Sequence, residues 1–346
     1  MKRNYREEIE LALAGGAPKY VPFTFYDGLF PPGFDPAPFQ ARGLGLCARR
    51  GVCRAVQPDV QVKSTTESDG SIRYFYETPV GTLTSYHKKA ALAHTPVEHP
   101  IKRRDDYRVA IYIARNTRYE PAYETFLADR KKLGDAGKVI AHTCYEPLMD
   151  VQVTWIGQEQ FCYELADNLD AVMELHAAIV QSHRSLYRAV AEGPAEYVLY
   201  GGNVVPEMLS PQRVRDLIAP CWNAFGAALH EKGKKIGCHL DANNRLILDT
   251  VRDSALDFIE AFTPPPDCNV PVAEAREKWP GKRLWVNFPS SVHLASDDAI
   301  RAAAGAIIRQ AGERKGFLMG VTEDVPAVHI HRSLNAILDA IAELPL

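Results

Sequence analysis

Two short runs in this sequence gather groups that can hold a cation or move a proton. The first is Gly237-Cys238-His239-Leu240-Asp241, and the second is Gly320-Val321-Thr322-Glu323-Asp324-Val325-Pro326. At an extended strand end, positions i and i+2 face the same way. His239 and Asp241 then face one side together, and Cys238 turns to the other. Neutral imidazole plus carboxylate is zinc-binding chemistry. Glu323 is placed to supply a third ligand from across the structure. A plainer reading stands beside this one. His239 can be an ordinary hydrogen-bonded histidine, and Asp241 the N-cap of a helix starting near residue 244. Asp324, just ahead of Pro326, likewise suits a helix start, where acidic groups favour the dipole.

Other polar groups fall at similar places. Tyr145 and Glu146 follow an apolar run at 138–142 and suit a hydrogen-bond donor and a general acid; a carboxyl in a deep pocket can hold its proton long enough to donate it. Gly201-Gly202-Asn203 lets a ligand approach the backbone closely. Asn203, Asn287 and Asp27 are candidate substrate contacts. His142, His183, His230, His329 and His331 show no partner pattern and read as structural, and Trp155, Tyr163 and Trp222 read as core. Neither GxxxxGK nor GxGxxG is present, so no phosphate or dinucleotide loop is expected. No GxSxG elbow supports acyl transfer.

These groups share a context: each follows a short apolar run and precedes a helical one. The runs expected as strands are Lys19–Phe25, Val109–Ile113, Lys138–His142, Glu196–Tyr200, Lys235–Leu240, Asp257–Phe262, Arg283–Asn287 and Gly316–Gly320. Amphipathic segments alternate with them, which implies parallel βαβ units. Eight such strands without a dinucleotide motif predict a closed α/β (β/α)8 TIM barrel, whose active groups sit at strand C-termini. The whole chain, 1–346, reads as one domain. Between about residues 59 and 88 the period switches to two, with turn signals at Ser68-Asp69-Gly70 and Pro79-Val80-Gly81. That stretch predicts an antiparallel β-meander, an N-terminal elaboration of the barrel. The Pro- and Phe-rich stretch 26–38 predicts a long loop across a pocket mouth.

Composition narrows the class. The chain has 346 residues, 46% hydrophobic and 24% charged, with a formal net charge of −3. That is enough chain to bury a core unaided, and the charge gives no case for nucleic acid. No apolar run has the length of a membrane span. The charged opening, Met1 to Glu10, is unlike a secretory signal. Seven cysteines, an odd number without a CxxC pair, argue against a disulfide framework. A cytoplasmic enzyme acting on a small molecule is expected, with a homodimer the commonest assembly of such chains.

Several phrases resemble the uroporphyrinogen decarboxylase superfamily, which includes the cobalamin-dependent methyltransferases. Tyr5-Arg6-Glu7-Glu8-Ile9-Glu10 through Pro22 is similar to the family's first helix and strand. Val198–Ile218 is similar to its strand, loop and Ser-Pro helix start, and Lys234–Asp249 to the segment with a His-x-Cys-Gly motif in the thiol methyltransferases. Arg283–Pro289 and Gly316–Pro326 resemble the last two strands. The arginine-rich segment that true decarboxylases carry after the first strand is here Phe25-Tyr26-Asp27-Gly28-Leu29-Phe30, with no arginine. His239 matches the family histidine, Asp241 stands where a thiolate ligand would be, and Val321 lies near the second. The resemblance therefore implies Zn2+ held by harder ligands, suited to activating an oxygen- or nitrogen-linked methyl group. It also implies cobalamin carried on a partner corrinoid protein. A carboxy-lyase acting on a smaller acid, and a silent ligand-binding barrel, remain as alternatives.

Overall fold

The computed structural model describes residues 4–90 and 94–344; the first three residues of the charged opening lie outside it. In chain order the strands are β1 Phe23–Tyr26, β2 Leu44–Arg50, β3 Cys53–Val56, β4 Gln61–Thr66, β5 Ile72–Thr78, β6 Gly81–Lys89, β7 His94–Glu98, β8 Arg118–Pro121, β9 Gly137–His142, β10 Tyr197–Gly202, β11 Lys235–His239, β12 Phe258–Phe262, β13 Arg283–Asn287 and β14 Phe317–Val321. The described residues form two compact units. One comprises 4–52, 123–143 and 194–344; the other comprises 53–122 and 144–193.

The first unit is a closed barrel in the order β1-β14-β13-β12-β11-β10-β9-β2. Every pairing in it is parallel. The expected (β/α)8 fold is therefore present. Strands β10, β12 and β14 are buried along their whole length, as parallel strands covered on both faces must be. The helices carry matching stripes. In Ala327–Glu343, Ile330, Leu334, Ile337, Leu338 and Ile341 are buried. Asp297–Gln310 starts at Ser296, whose side chain accepts from the Ala299 amide, with Asp297 and Asp298 in its first turn, a favourable cap and dipole arrangement. At the N-terminal end of the barrel, Ile9, Ala12 and Leu13 of helix Tyr5–Leu13 join one core cluster with Tyr197, Leu199, Phe258 and Trp285.

One strand assignment is corrected. Val109–Ile113 lies inside helix Asp106–Arg115, and the second barrel strand is Leu44–Arg50. The Val-Ala-Ile-Tyr-Ile run is locally strand-like, but tertiary contacts override that tendency. The Asp106 carboxylate accepts from the Lys102 and Arg103 amides at 2.9 and 3.1 Å and so ties down the chain just ahead of the helix. Leu44–Arg50 is inconspicuous because Gly45 interrupts it and two arginines end it.

The second unit holds the expected meander. Strands β4-β5-β6-β7 form an antiparallel sheet, with Val62 opposite Tyr76 and Tyr76 opposite Leu83. The Asp69 carboxylate accepts from the Ser71 amide at 2.8 Å and makes the first turn. A further strand, His94–Glu98, extends the sheet beyond the stretch seen in the sequence. Strands β3 and β8 pair separately, and Gln158–Asp167 and Leu169–Ala191 are helices of the same unit. Among the described residues, no helix is long and apolar enough to cross a membrane.

Candidate metal centre

The barrel interior changes chemistry along its axis. Cys47, Ile140, Leu199, Phe258, Trp285 and Leu318 form an apolar floor, joined by Tyr26. Two residues further along each strand the same face recurs, and there stand Arg49, His142, Gly201, Glu260, Asn287 and Gly320. On β11 the corresponding step is from Gly237 to His239. A Cβ on Gly237 would lie 2.3 Å from the Phe258 ring, so that ring fills the space beneath His239. The polar end is thus the C-terminal end of the strands, where barrel enzymes carry their sites.

His239, Asp241 and Glu323 converge there. Their potential ligand atoms all lie within 4.8 Å of one another. The Nε2 of His239 is 3.6 Å from the Asp241 carboxylate and 3.3 Å from that of Glu323. Its Nδ1 is 2.7 Å from Oε2 of Glu260, a carboxylate with no solvent exposure. The other oxygen of Glu260 accepts from the Tyr26 hydroxyl. This is a three-ligand set backed by a buried carboxylate. Such backing fixes the histidine tautomer and leaves Nε2 for a metal. The residues fit zinc with a position left open for water or substrate.

The local backbone is shaped to present His239. A register shift between Leu199 and Gly202 interrupts the pairing of β10 with β11, and one between Ile259 and Phe262 interrupts the pairing of β12 with β13. Bulges of this kind re-aim side chains next to active sites. Ala261 adopts φ 54° directly after Glu260, a conformation costly for a non-glycine residue. Gly202 pairs with His239 at φ 147°, and a Cβ there would come within 3.0 Å of the His239 Cβ.

Electrostatics follow the geometry. Burial disfavours a protonated His239, but Glu260, Asp241 and Glu323 outweigh it and hold its pKa well above the ordinary value. Without metal the imidazole keeps a proton that a bound metal must displace. Burial pushes Asp241 up, yet the hydrogen bond and charge of His239 bring it below the usual carboxylate range. Burial, and then the charge of Glu260, raise Tyr26 well above its ordinary value, so its hydroxyl stays protonated and donates. The Cys268 thiol donates to the Asp241 carbonyl at 2.9 Å; burial, then Asp241, push it up to about 11. It is a neutral thiol at neutral pH, not a thiolate ligand.

The other expected residues are distributed differently. Asp241 is not the alternative cap, since Asn243 precedes the turn 244–247; Asp324 lies two residues ahead of Pro326, which precedes the last helix. Cys238 is buried, away from the ligands. Asn287 is buried, and its amide is engaged at both ends, donating to Thr263 Oγ1 at 3.3 Å and accepting from the Thr322 amide at 3.0 Å. Asp27 is ion-paired with Arg50. Asn203 is exposed at φ 57°. Tyr145 and the fully buried Glu146 belong to the second unit. Sequence reasoning placed Glu260 at a strand end without giving it a role, and missed Tyr26 and Arg49. Glu260 left one signal, a lone charge inside the run Phe258-Ile259-Glu260-Ala261-Phe262, where an unpaired carboxylate would be costly to bury.

No family model and no curated protein matches this chain. Among solved structures it is similar to a methyltransferase from Methanosarcina mazei, at 13% identity and a TM-score of 0.51, over 72% of each chain. It is also similar to PbGH5A, a glycoside hydrolase family 5 enzyme from Prevotella bryantii, at 8% identity and a TM-score of 0.48, over 99% of each chain. At these identities the likeness to the methyltransferase is one of fold: the chain is an eight-stranded parallel barrel of the same kind.

Proposed function

We propose that this barrel is a metal-assisted methyltransferase of the uroporphyrinogen decarboxylase superfamily type, acting on a small O- or N-methylated compound. The acceptor would be the corrinoid of a separate partner protein. One observation carries the reading: the convergence of His239, Asp241 and Glu323, with Glu260 behind His239. The methyltransferase likeness in fold agrees with it, as do the sequence phrases described above.

In this reading His239, Asp241 and Glu323 hold Zn2+. The metal supplies Lewis-acid polarisation of the oxygen or nitrogen that the methyl group leaves. The remaining work belongs to the chain. Glu260 accepts from Nδ1 and so fixes Nε2 towards the metal. Tyr26 holds Glu260 from its other oxygen, so the carboxylate cannot rotate away. The apolar floor of Phe258, Trp285 and Leu318 closes the lower end of the barrel to water. The loop after β1 is braced by stacked rings, Phe25 on Phe30 at 4.3 Å and Phe30 on Phe34 at 4.7 Å, and would help close the mouth.

The test is metal binding followed by methyl transfer. Purified protein should bind one zinc per chain, measured by elemental analysis and chelator competition, and His239→Ala should weaken it at least about 100-fold, as loss of one of three ligands implies. Wild-type zinc affinity in His239→Ala would end the ligand assignment. Corrinoid protein, methylated substrates and zinc-loaded enzyme together should change the corrinoid absorption spectrum, and the absence of any change would end the methyl-transfer reading.

A further inference from the structure

Arg49 and Arg50 end β2, and adjacent strand residues point to opposite faces. Arg50 is committed, with Asp27 and Asp129 both paired to its guanidinium. Arg49 follows Cys47 on the inner face, and its Cζ lies 4.1 Å from the centroid of the Tyr26 ring. Among the described residues no carboxylate pairs with Arg49. A ring contact of this kind contributes about 0.5–2 kcal/mol and leaves the positive charge uncompensated. The carboxylate that Tyr26 itself holds, Glu260, is engaged by Tyr26 and His239.

In the barrel order, β9 and β10 separate β2 from β11, so Arg49 stands on a different wall from His239. Both stand in the polar layer at the C-terminal ends of the strands, the end at which barrels of this kind bind their ligands. His142, at the end of β9, lies between the two centres. Although its ring keeps a solvent-open edge, it is pushed down to about 4 by desolvation and then by Arg49, and it also feels Glu260 and His239. One electrostatic field therefore links Arg49 to the metal-ligand cluster. That field is polar: Asp241, Glu323 and Glu260 at one end, a lone guanidinium at the other.

We propose that Arg49 anchors a carboxylate, so that the barrel takes small organic acids whose reactive end lies at His239, Asp241 and Glu323. The placement of the reactive end rests on the metal-centre reading; the anion contact does not. A single guanidinium fork matches the two oxygens of a carboxylate. The carboxylates of Asp241, Glu323 and Glu260 gathered around His239 repel an acid group, which sets the orientation of the bound molecule. A phosphate dianion calls for more positive charge than Arg49 offers.

The experiment measures binding of acetate, butyrate and benzoate to chelator-treated and zinc-loaded protein, each against its neutral amide, with inorganic phosphate alongside. In the chelator-treated protein at least one carboxylate should bind tenfold or more tightly than its amide. That preference should vanish in Arg49→Gln. Arg49→Lys, which keeps charge but loses the fork, should weaken binding several-fold. An unchanged preference in Arg49→Gln, no preference in the wild type, or preference for phosphate overturns the proposal. Should Arg49→Gln fail to fold, Arg49→Lys decides, and an unchanged Kd there overturns it. If Arg49 governs carboxylate binding but zinc does not bind, the anchor stands and the metal reading falls. If zinc binds and no carboxylate is preferred, the anchor alone falls.

Discussion

His239 depends on what stands behind it. Its Nε2 faces two carboxylates while Glu260 holds Nδ1 at 2.7 Å. Glu260→Gln keeps the shape but loses the charge that orients and enriches the imidazole. It should lower zinc affinity by about 10–100-fold, measured by competitive chelator titration on folded protein. Unchanged affinity would show that Glu260 does not tune the ligand. The convergence of His239, Asp241 and Glu323 was partly legible in the sequence, because period two places His239 and Asp241 on one face and because Glu323 follows another strand. Glu260 and Arg49 were not legible as partners. Their roles arise from which strands become neighbours or face each other across the barrel, and local spacing does not encode that.

At the scale of elements, β10 makes room for β11. Gly202 has φ 147°, and a Cβ there would come within 3.0 Å of the His239 Cβ. Gly202→Ala adds both steric overlap and backbone strain, and should destabilise the protein by about 1–3 kcal/mol while displacing His239. Urea unfolding and zinc affinity should fall together; a fully stable variant with intact zinc binding would contradict this geometry. The misassigned second strand belongs to the same scale. Val109–Ile113 has strand-like residues, yet the buried face of the helix there, with Tyr107 and Ile113, selects period 3.6. Leu44–Arg50 lacks strand composition, yet it pairs with β1 and β9 on both sides. Tertiary context, burial in one case and pairing partners in the other, outweighed propensity in both segments.

For the molecule as a whole, acid should be the vulnerable side. His293 in the barrel unit and His183 in the other are buried, and burial pushes them down to about 4 and about 3. Below the ordinary histidine value the unfolded chain takes up protons that these folded-state imidazoles refuse. Their stability contribution is complete above about pH 6.5 and is lost as pH falls towards the folded values. Each histidine should cost about 1.4 kcal/mol per pH unit in that window. Urea unfolding in steps from pH 7 to 5 tests this, and equal stability at both ends would refute it.

The sequence by itself determined the alternation of strand and helix, the meander between residues 59 and 88, and the placement of His239, Asp241 and Glu323 at strand ends. These follow from periodicity, which is local. Only the tertiary structure decided which segment is the second strand, that Glu260 and Tyr26 lock His239, and that Arg49 stands unpaired on another wall. Barrel closure brings together residues far apart in the chain. The burial that follows turns ordinary carboxylates, imidazoles and guanidinium groups into one coupled polar cluster.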